Sequence, residues 1–417
     1  MELKIRVPKL CSINQWIRIF AAFLTISFMV YGLIAYLPYH GILLWLLSFS
    51  VWFVFAYSGD AHFLGRFFRF GGMVILFYII LFLFDLANGN PLEALSNSYI
   101  NTYVSLIMMV AFYCFYEKKV GEKETQILFD IVLIEESIKI PVCIKLFLSD
   151  PLVARRLMDP TIDNQDITYS GMAPSFTYVY FVLFLVLTLL PRIKKVDGIR
   201  KIWYSYVCVA GCLMILNGSF ATATLMLILG IFLVLFAKNV KIVLGLSTIG
   251  ILFVLLFSQI GAVFFRWLSS MWNFSSIVQK KLYQISMFIA TGAAGESTMM
   301  DRLRRIQMCL DAINKHPLMG VYSMNVSDAT NGGHTYWFDI FALFGLIRVF
   351  PLIAFYIGWF IKVVKARQIS FGNKNVAVLV VVVISGFFNP TICEATAPII
   401  FFLMPLADNW CREKSKI

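Results

Sequence analysis

The chain has 417 residues, 60% of them hydrophobic and 14% charged, with a mean hydropathy of +0.81. Soluble domains are roughly 45–50% apolar and about 25% charged, so this composition excludes a soluble globular protein and defines an integral membrane one. The formal net charge of +12 invites a nucleic-acid partner, and where the charges fall decides against it.

Residues 1–14 are polar and basic, and the apolar run after them is long enough to span and stay, so no cleavable leader is expected. Spanning helices need roughly 20 apolar residues. They are predicted at 18–36, 41–57, 70–87, 98–116, 126–148, 173–190, 203–217, 220–237, 242–264, 337–361, 375–389 and 395–410. The expected fold is therefore an all-α polytopic membrane protein of about twelve transmembrane helices, in one membrane domain, 1–417.

The breaks between these runs alternate in charge. One set is basic: Lys4/Arg6/Lys9, Arg66/Arg69, Lys118/Lys119/Lys123, Arg192/Lys194/Lys195/Arg200/Lys201, Lys238/Lys241, Lys362/Lys365/Arg367/Lys374 and Arg412/Lys414/Lys416. The other set, at 37–40, 87–97, around Gly218 and at 390–394, has no Lys or Arg. By the positive-inside rule the basic set and both termini are cytoplasmic. Two longer breaks, 149–172 and 265–335, then fall on the outer face. Of the 35 Lys and Arg, 22 lie in the cytoplasmic segments, and Arg18 at the first helix start joins them. Topology and headgroup contact account for these, so no nucleic-acid partner is expected. The twelve others are Lys139, Lys145, Arg155, Arg156, Arg266, Lys280, Lys281, Arg302, Arg304, Arg305, Lys315 and Arg348. They defy the usual bias and need another explanation.

The fifth predicted span concentrates Asp130, Glu135, Glu136, Lys139 and Lys145. Ionisable groups are costly in lipid and pair with one another or face a cavity. Helical spacing of Glu135 and Glu136 to Lys139 fits an internal ion pair, and a polar cavity fits as well. Arg348, Asp339 and Glu394 are further ionisable residues in or near predicted helices.

The large outer break carries the densest polar chemistry. Residues 298–315 read as a helix with Leu303, Ile306, Leu310 and Ile313 at helical spacing. Arg302 and Arg305 share one face of it, while Arg304 points elsewhere. Guanidinium forks bind phosphate oxygens bidentately, which suits a diphosphate at the outer leaflet; an interfacial helix touching headgroups is the alternative. Arg155-Arg156 form a second basic spot in the smaller outer break. His334 follows Asn331-Gly332-Gly333 and opens an apolar helix, where a neutral imidazole can accept a proton from a hydroxyl or serve as a cap. His316, before Pro317, reads as a turn, and His40 and His62 lie in short connections. Neither the four histidines nor the eight cysteines have metal-site spacing, and there is no P-loop or G-x-G-x-x-G, so no metal or cofactor is expected. Cys208 and Cys212, four residues apart, read as small buried hydrophobes.

Several phrases together resemble the bacterial O-antigen polymerase and O-antigen ligase family. Arg302 followed by His316-Pro317-Leu318-Met319-Gly320-Val321 is similar to its "R … hPl-x-Gv" stretch. His334, with Ala342 and Gly345-Leu346-Ile347, resembles its "H-N-x-Y-L … A-x-x-G-L-I" entry into the next helix. Residues 169–175 resemble the "sG-x-x-x-P" opening of a middle helix, and Asn217-Gly218-Ser219 with Ala221-Thr222 resembles the "tgSR-x-a" turn. The pieces run in the family's order over residues 165–350, about half the chain. Three positions depart from it: Phe220 stands where an arginine is frequent, Thr335 replaces an asparagine, and Ala173 replaces an acid.

The resemblance implies a metal-independent glycosyltransferase with a GT-C-like membrane fold in the bacterial inner membrane. Its donor would be a polyprenyl-diphosphate-linked oligosaccharide, and its partners would include membrane lipids, a chain-length regulator and a flippase. Arg302 and His334 would be catalytic, His334 orienting or deprotonating the acceptor hydroxyl. Arg305, Arg155 and Arg156 would help Arg302 hold the diphosphate. A ligase acting on lipid A core, or a lipid-linked oligosaccharide flippase or other transporter, are the competing readings.

Overall fold

The computed structural model describes residues 11–29, 42–87, 98–118, 123–151, 153–156, 174–218, 220–236, 245, 258–271, 279–280, 282–283, 286, 298–321, 335–365, 372–388 and 396–407. Among the described residues every regular element is helical. The helices are α1 (Ile13–Met29), α2 (Ile42–Gly59), α3 (Phe63–Ala87), α4 (Ser98–Tyr116) and α5 (Lys123–Ser149). After a single turn, Val153–Arg156, come α6 (Phe176–Leu189), α7 (Ile199–Asn217), α8 (Ala221–Phe236) and α9 (Ser258–Met271). The chain continues with α10 (Thr298–Lys315), α11 (Tyr336–Lys365), α12 (Gly372–Ser385) and α13 (Thr396–Ala407), the last with a π turn at Ile399–Leu403.

Four segments are long and apolar enough to cross a membrane: Phe63–Leu83, Phe176–Lys195, Ile199–Asn217 and Tyr336–Val364. Six shorter apolar helices accompany them among the described residues. This is the composition of a membrane protein, as the hydropathy demanded.

The arrangement follows from which helices are apolar all round. Residues Tyr178 to Leu189 of α6 are buried on every side, so α6 is the inner helix of the bundle. It packs against α7, α8, α12 and α13, while α3, α4 and α11 form a neighbouring layer reached through α13 and α12. Gly230 lets α8 close on α6: a Cβ there would lie 2.7 Å from Leu187 Cδ2. The pairs α1–α2, α1–α5 and α5–α7 complete the other side.

One buried ion pair ties four helices. Arg18 on α1 donates from Nε to Glu124 Oε1 at 2.9 Å and from Nη2 to Oε2 at 2.6 Å. Tyr116 O–H also donates to Glu124, and Trp52 Nε1–H donates to Tyr116 at 3.2 Å, bringing in α4 and α2. Both members of the pair are buried, so removing one leaves a desolvated charge behind. Glu124→Ala is expected to destabilise the fold by about 3–5 kcal/mol, read as a lowered thermal midpoint. Less buried cations tie elements too: Lys362 pairs with Glu117 at 2.8 Å, and Arg200 with Asp130 at 2.7 Å.

Two predicted segments depart furthest from the observed helices. α3 begins seven residues before the predicted 70, because Arg66 can lie inside the helix once Asp60 and the Cys114 carbonyl accept from it. The predicted 242–264 span lies mostly outside the described residues, and α9 runs from Ser258 past its end to Met271. α9 is amphipathic. Phe265 and Leu268 pack with Leu282 against Leu216 and Leu225, at the ends of α7 and α8, while Val263, Arg266 and Trp267 are exposed.

Candidate functional site

α10 is helical over the predicted 298–315. Cys309 and Ala312 are buried, Ile313 packs on the core, Arg304 is exposed and Arg305 is half-buried, so this helix lies against the protein with one face. Its partner is α11. Cys309 Sγ–H donates to Asp339 Oδ1 at 3.2 Å, and the backbone N–H of Thr335 donates to Asp339 Oδ2 at 3.1 Å. Asp339 thus joins the middle of α10 to the start of α11.

Below that contact the two segments lock together. α10 ends where His316 N–H donates to Ala312 O, and Pro317 starts a turn that Gly320 closes at φ +68°. α11 is broken at Gly345, with φ +66° and ψ 171°. A broken helix leaves backbone groups without partners, and the 317–321 turn supplies them. Leu346 N–H donates to Pro317 O at 2.9 Å, Ile347 N–H to Leu318 O at 3.0 Å, and Val321 N–H to Ala342 O at 3.0 Å. The two glycines face each other at the crossing. A Cβ on Gly345 would lie 2.5 Å from Leu318 O, and one on Gly320 2.5 Å from Gly345 N. Both also need positive φ, which glycine alone adopts without strain.

The upper end of α11 is pinned as firmly. Tyr336 N–H and Trp337 N–H both donate to Gly386 O, and Trp337 Nε1–H donates to Val383 O at 2.8 Å.

These contacts make α10 and α11 run parallel in one register, Cys309 level with Asp339. One helical turn before Cys309 is Arg305, and one turn before Asp339 is Thr335, so the Arg305 turn stands beside the start of α11. Arg302 lies on the same face of α10, three residues before Arg305. His334 immediately precedes Thr335 in the chain and lies outside the described residues, as does the Arg302 side chain. Arg155 and Arg156 end the turn Val153–Arg156 that follows α5; their side chains also lie outside the described residues.

Two of the remaining family-like phrases have structural duties. Ser175 caps α6, its Oγ accepting from Tyr178 N–H at 3.0 Å; residues 169–173 lie outside the described set. Phe220, at the position of the missing arginine, is buried edge-on against Phe176 and Phe147, with centroids 5.1 and 6.2 Å away. It joins the end of α5, the start of α6 and the α7–α8 turn. Phe220→Ala is expected to cost about 3–5 kcal/mol through lost packing, measured by thermal unfolding.

The ionisable residues of α5 find partners on other helices. Ser27 of α1 donates to Glu135, Tyr178 of α6 donates to Glu136 Oε2 at 2.6 Å, and Lys139 Nζ sits 3.7 Å from the Tyr178 ring centroid. Local spacing pointed only to Lys139. Among the described residues, no group of three His, Cys, Asp or Glu side chains gathers to hold a metal ion.

No protein-family model matches the chain, and no curated protein matches it.

Proposed function

We propose that the chain is a glycan polymerase of the O-antigen type, with about twelve transmembrane helices in a GT-C-like fold and its active site at the outer face of the inner membrane. The observation that carries this reading is the lock between 316–321 and 342–347. The two family-like phrases, separate in sequence, are hydrogen-bonded to each other, which sets the arginine helix α10 beside the start of α11. Such a pairing suits one site that needs both an anion clamp and a proton acceptor.

In this reading Arg302 and Arg305, with Arg155 and Arg156, hold the donor's diphosphate and stabilise the charge that develops on it. His334 orients the acceptor sugar hydroxyl and takes its proton. The acceptor oxygen bonds to the donor's anomeric carbon as the bond from that carbon to phosphate oxygen breaks, and polyprenyl diphosphate leaves. The proton on His334 then passes to water.

The test is reconstitution of purified protein with polyprenyl-diphosphate-linked repeat units, without nucleotide. A ladder of lengthened lipid-linked glycans is expected. Transfer only onto added lipid A core would instead make the chain a ligase. Movement of the units across vesicles without transfer would make it a flippase, a reading favoured by the Glu135–Glu136–Lys139 cluster buried within the bundle.

A further inference from the structure

The end of the bundle with the basic loops holds a cation cluster that the proposed reaction does not use. A 3₁₀ turn, Leu190–Lys195, closes α6 and buries Arg192 completely. The Arg192 guanidinium donates to the Thr188 carbonyl and, from Nη2, to Asn375 Oδ1 at 3.0 Å. That second bond fastens the turn to the first turn of α12. Lys374, half-buried beside Asn375, therefore stands within electrostatic reach of Lys194, Arg192 and Lys195. Lys194 and Lys195 are exposed. Among the described residues no carboxylate pairs with Lys194, Lys195 or Lys374.

Three lysines brought together by this turn and the start of α12 repel one another unless an anion lies among them. The surroundings indicate what kind. α7 packs on the same turn and presents Ile199 and Ile202, 82% and 72% exposed, next to the lysines. A soluble phosphate has no use for such a surface, whereas a phospholipid has acyl chains to lay on it.

We propose that Lys194, Lys195 and Lys374, braced by the buried Arg192, bind the phosphate headgroup of an anionic phospholipid in the leaflet at this end of the bundle. By the loop-charge rule this is the cytoplasmic leaflet. The site lies at the opposite end from the proposed chemistry, so it stands or falls independently of it.

Native mass spectrometry of the full chain, titrated with phosphatidylglycerol or phosphatidylcholine, tests the proposal. The wild type is expected to retain phosphatidylglycerol, and the triple variant K194Q/K195Q/K374Q to retain it about a hundredfold less, with phosphatidylcholine binding unchanged. The charge-keeping variant K194R/K195R/K374R should retain it as the wild type does, which separates lost charge from misfolding. Equal retention by wild type and the glutamine variant overturns the site. Displacement of the lipid by millimolar inorganic phosphate overturns the lipid assignment in favour of a soluble anion.

Discussion

Alanine at Gly345 is expected to leave little folded protein. The methyl group would be driven into the backbone of Gly320 and Leu318, main-chain atoms that cannot swing aside as the end of a side chain could. The residue would also have to hold φ +66°. Strain and overpacking together amount to at least about 3 kcal/mol, and relieving them by parting the segments would strand the N–H groups of Leu346 and Ile347. Gly320→Ala should fail in the same way, since its Cβ meets the backbone of Leu343 and Gly345. Gly358 lies lower on α11 with open space around it, so Gly358→Ala is the control and should behave as wild type. Thermal unfolding followed by size-exclusion chromatography reads all three. A Gly345→Ala protein as stable as Gly358→Ala would mean that the two segments are not locked.

The second large effect concerns chemistry and leaves folding alone. Arg302→Ala is expected to lower the rate of glycan transfer by about 10²–10³, the usual loss when one preorganised donor to a developing anion is removed. His334→Ala should lower it by about 10²–10⁴, the range for losing a positioned proton acceptor. Arg302→Lys should recover only part of the loss, because an ammonium keeps the charge and not the fork. Rates are to be measured in proteoliposomes at matched protein content. Unchanged rates in both alanine variants would remove these residues from the mechanism, whatever the activity of the wild type.

The bundle was legible because its signal is a single quantity summed over long windows. α4 has the bounds that its apolar run predicts, and α2, α5 and α8 differ only by a few residues at their ends. Reading by hydropathy fails where a helix carries charge that the fold satisfies. α3 begins early enough to include Arg66 because its partners, Asp60 and the Cys114 carbonyl, lie outside the helix. α9 runs past residue 264 for a related reason: Phe265 and Leu268 pack on one face while Arg266 is exposed on another, and a windowed average erases that difference.

The site was legible only in outline. The shared face of Arg302 and Arg305 is a matter of helical spacing, so it could be read directly. The lock between Leu318 and Ile347 could not, since it is made of backbone groups that every residue possesses. Gly320, Gly345 and Pro317 were its visible traces, and they acquire meaning only when placed against each other. Asp339 is visible in the sequence as an acid in an apolar helix, yet its role needs Cys309, thirty residues earlier in the chain. Glu136 likewise takes its hydrogen bond from Tyr178 on another helix, beyond the reach of local spacing.

The central claim is that this membrane chain makes glycosidic bonds at the expense of a lipid diphosphate. Its most direct test counts polyprenyl diphosphate by mass spectrometry while purified protein acts on labelled lipid-linked repeat units. One polyprenyl diphosphate is expected to be released for each glycosidic bond formed, with no nucleotide present. Units that cross the membrane or stay bound, with no polyprenyl diphosphate released, would contradict it.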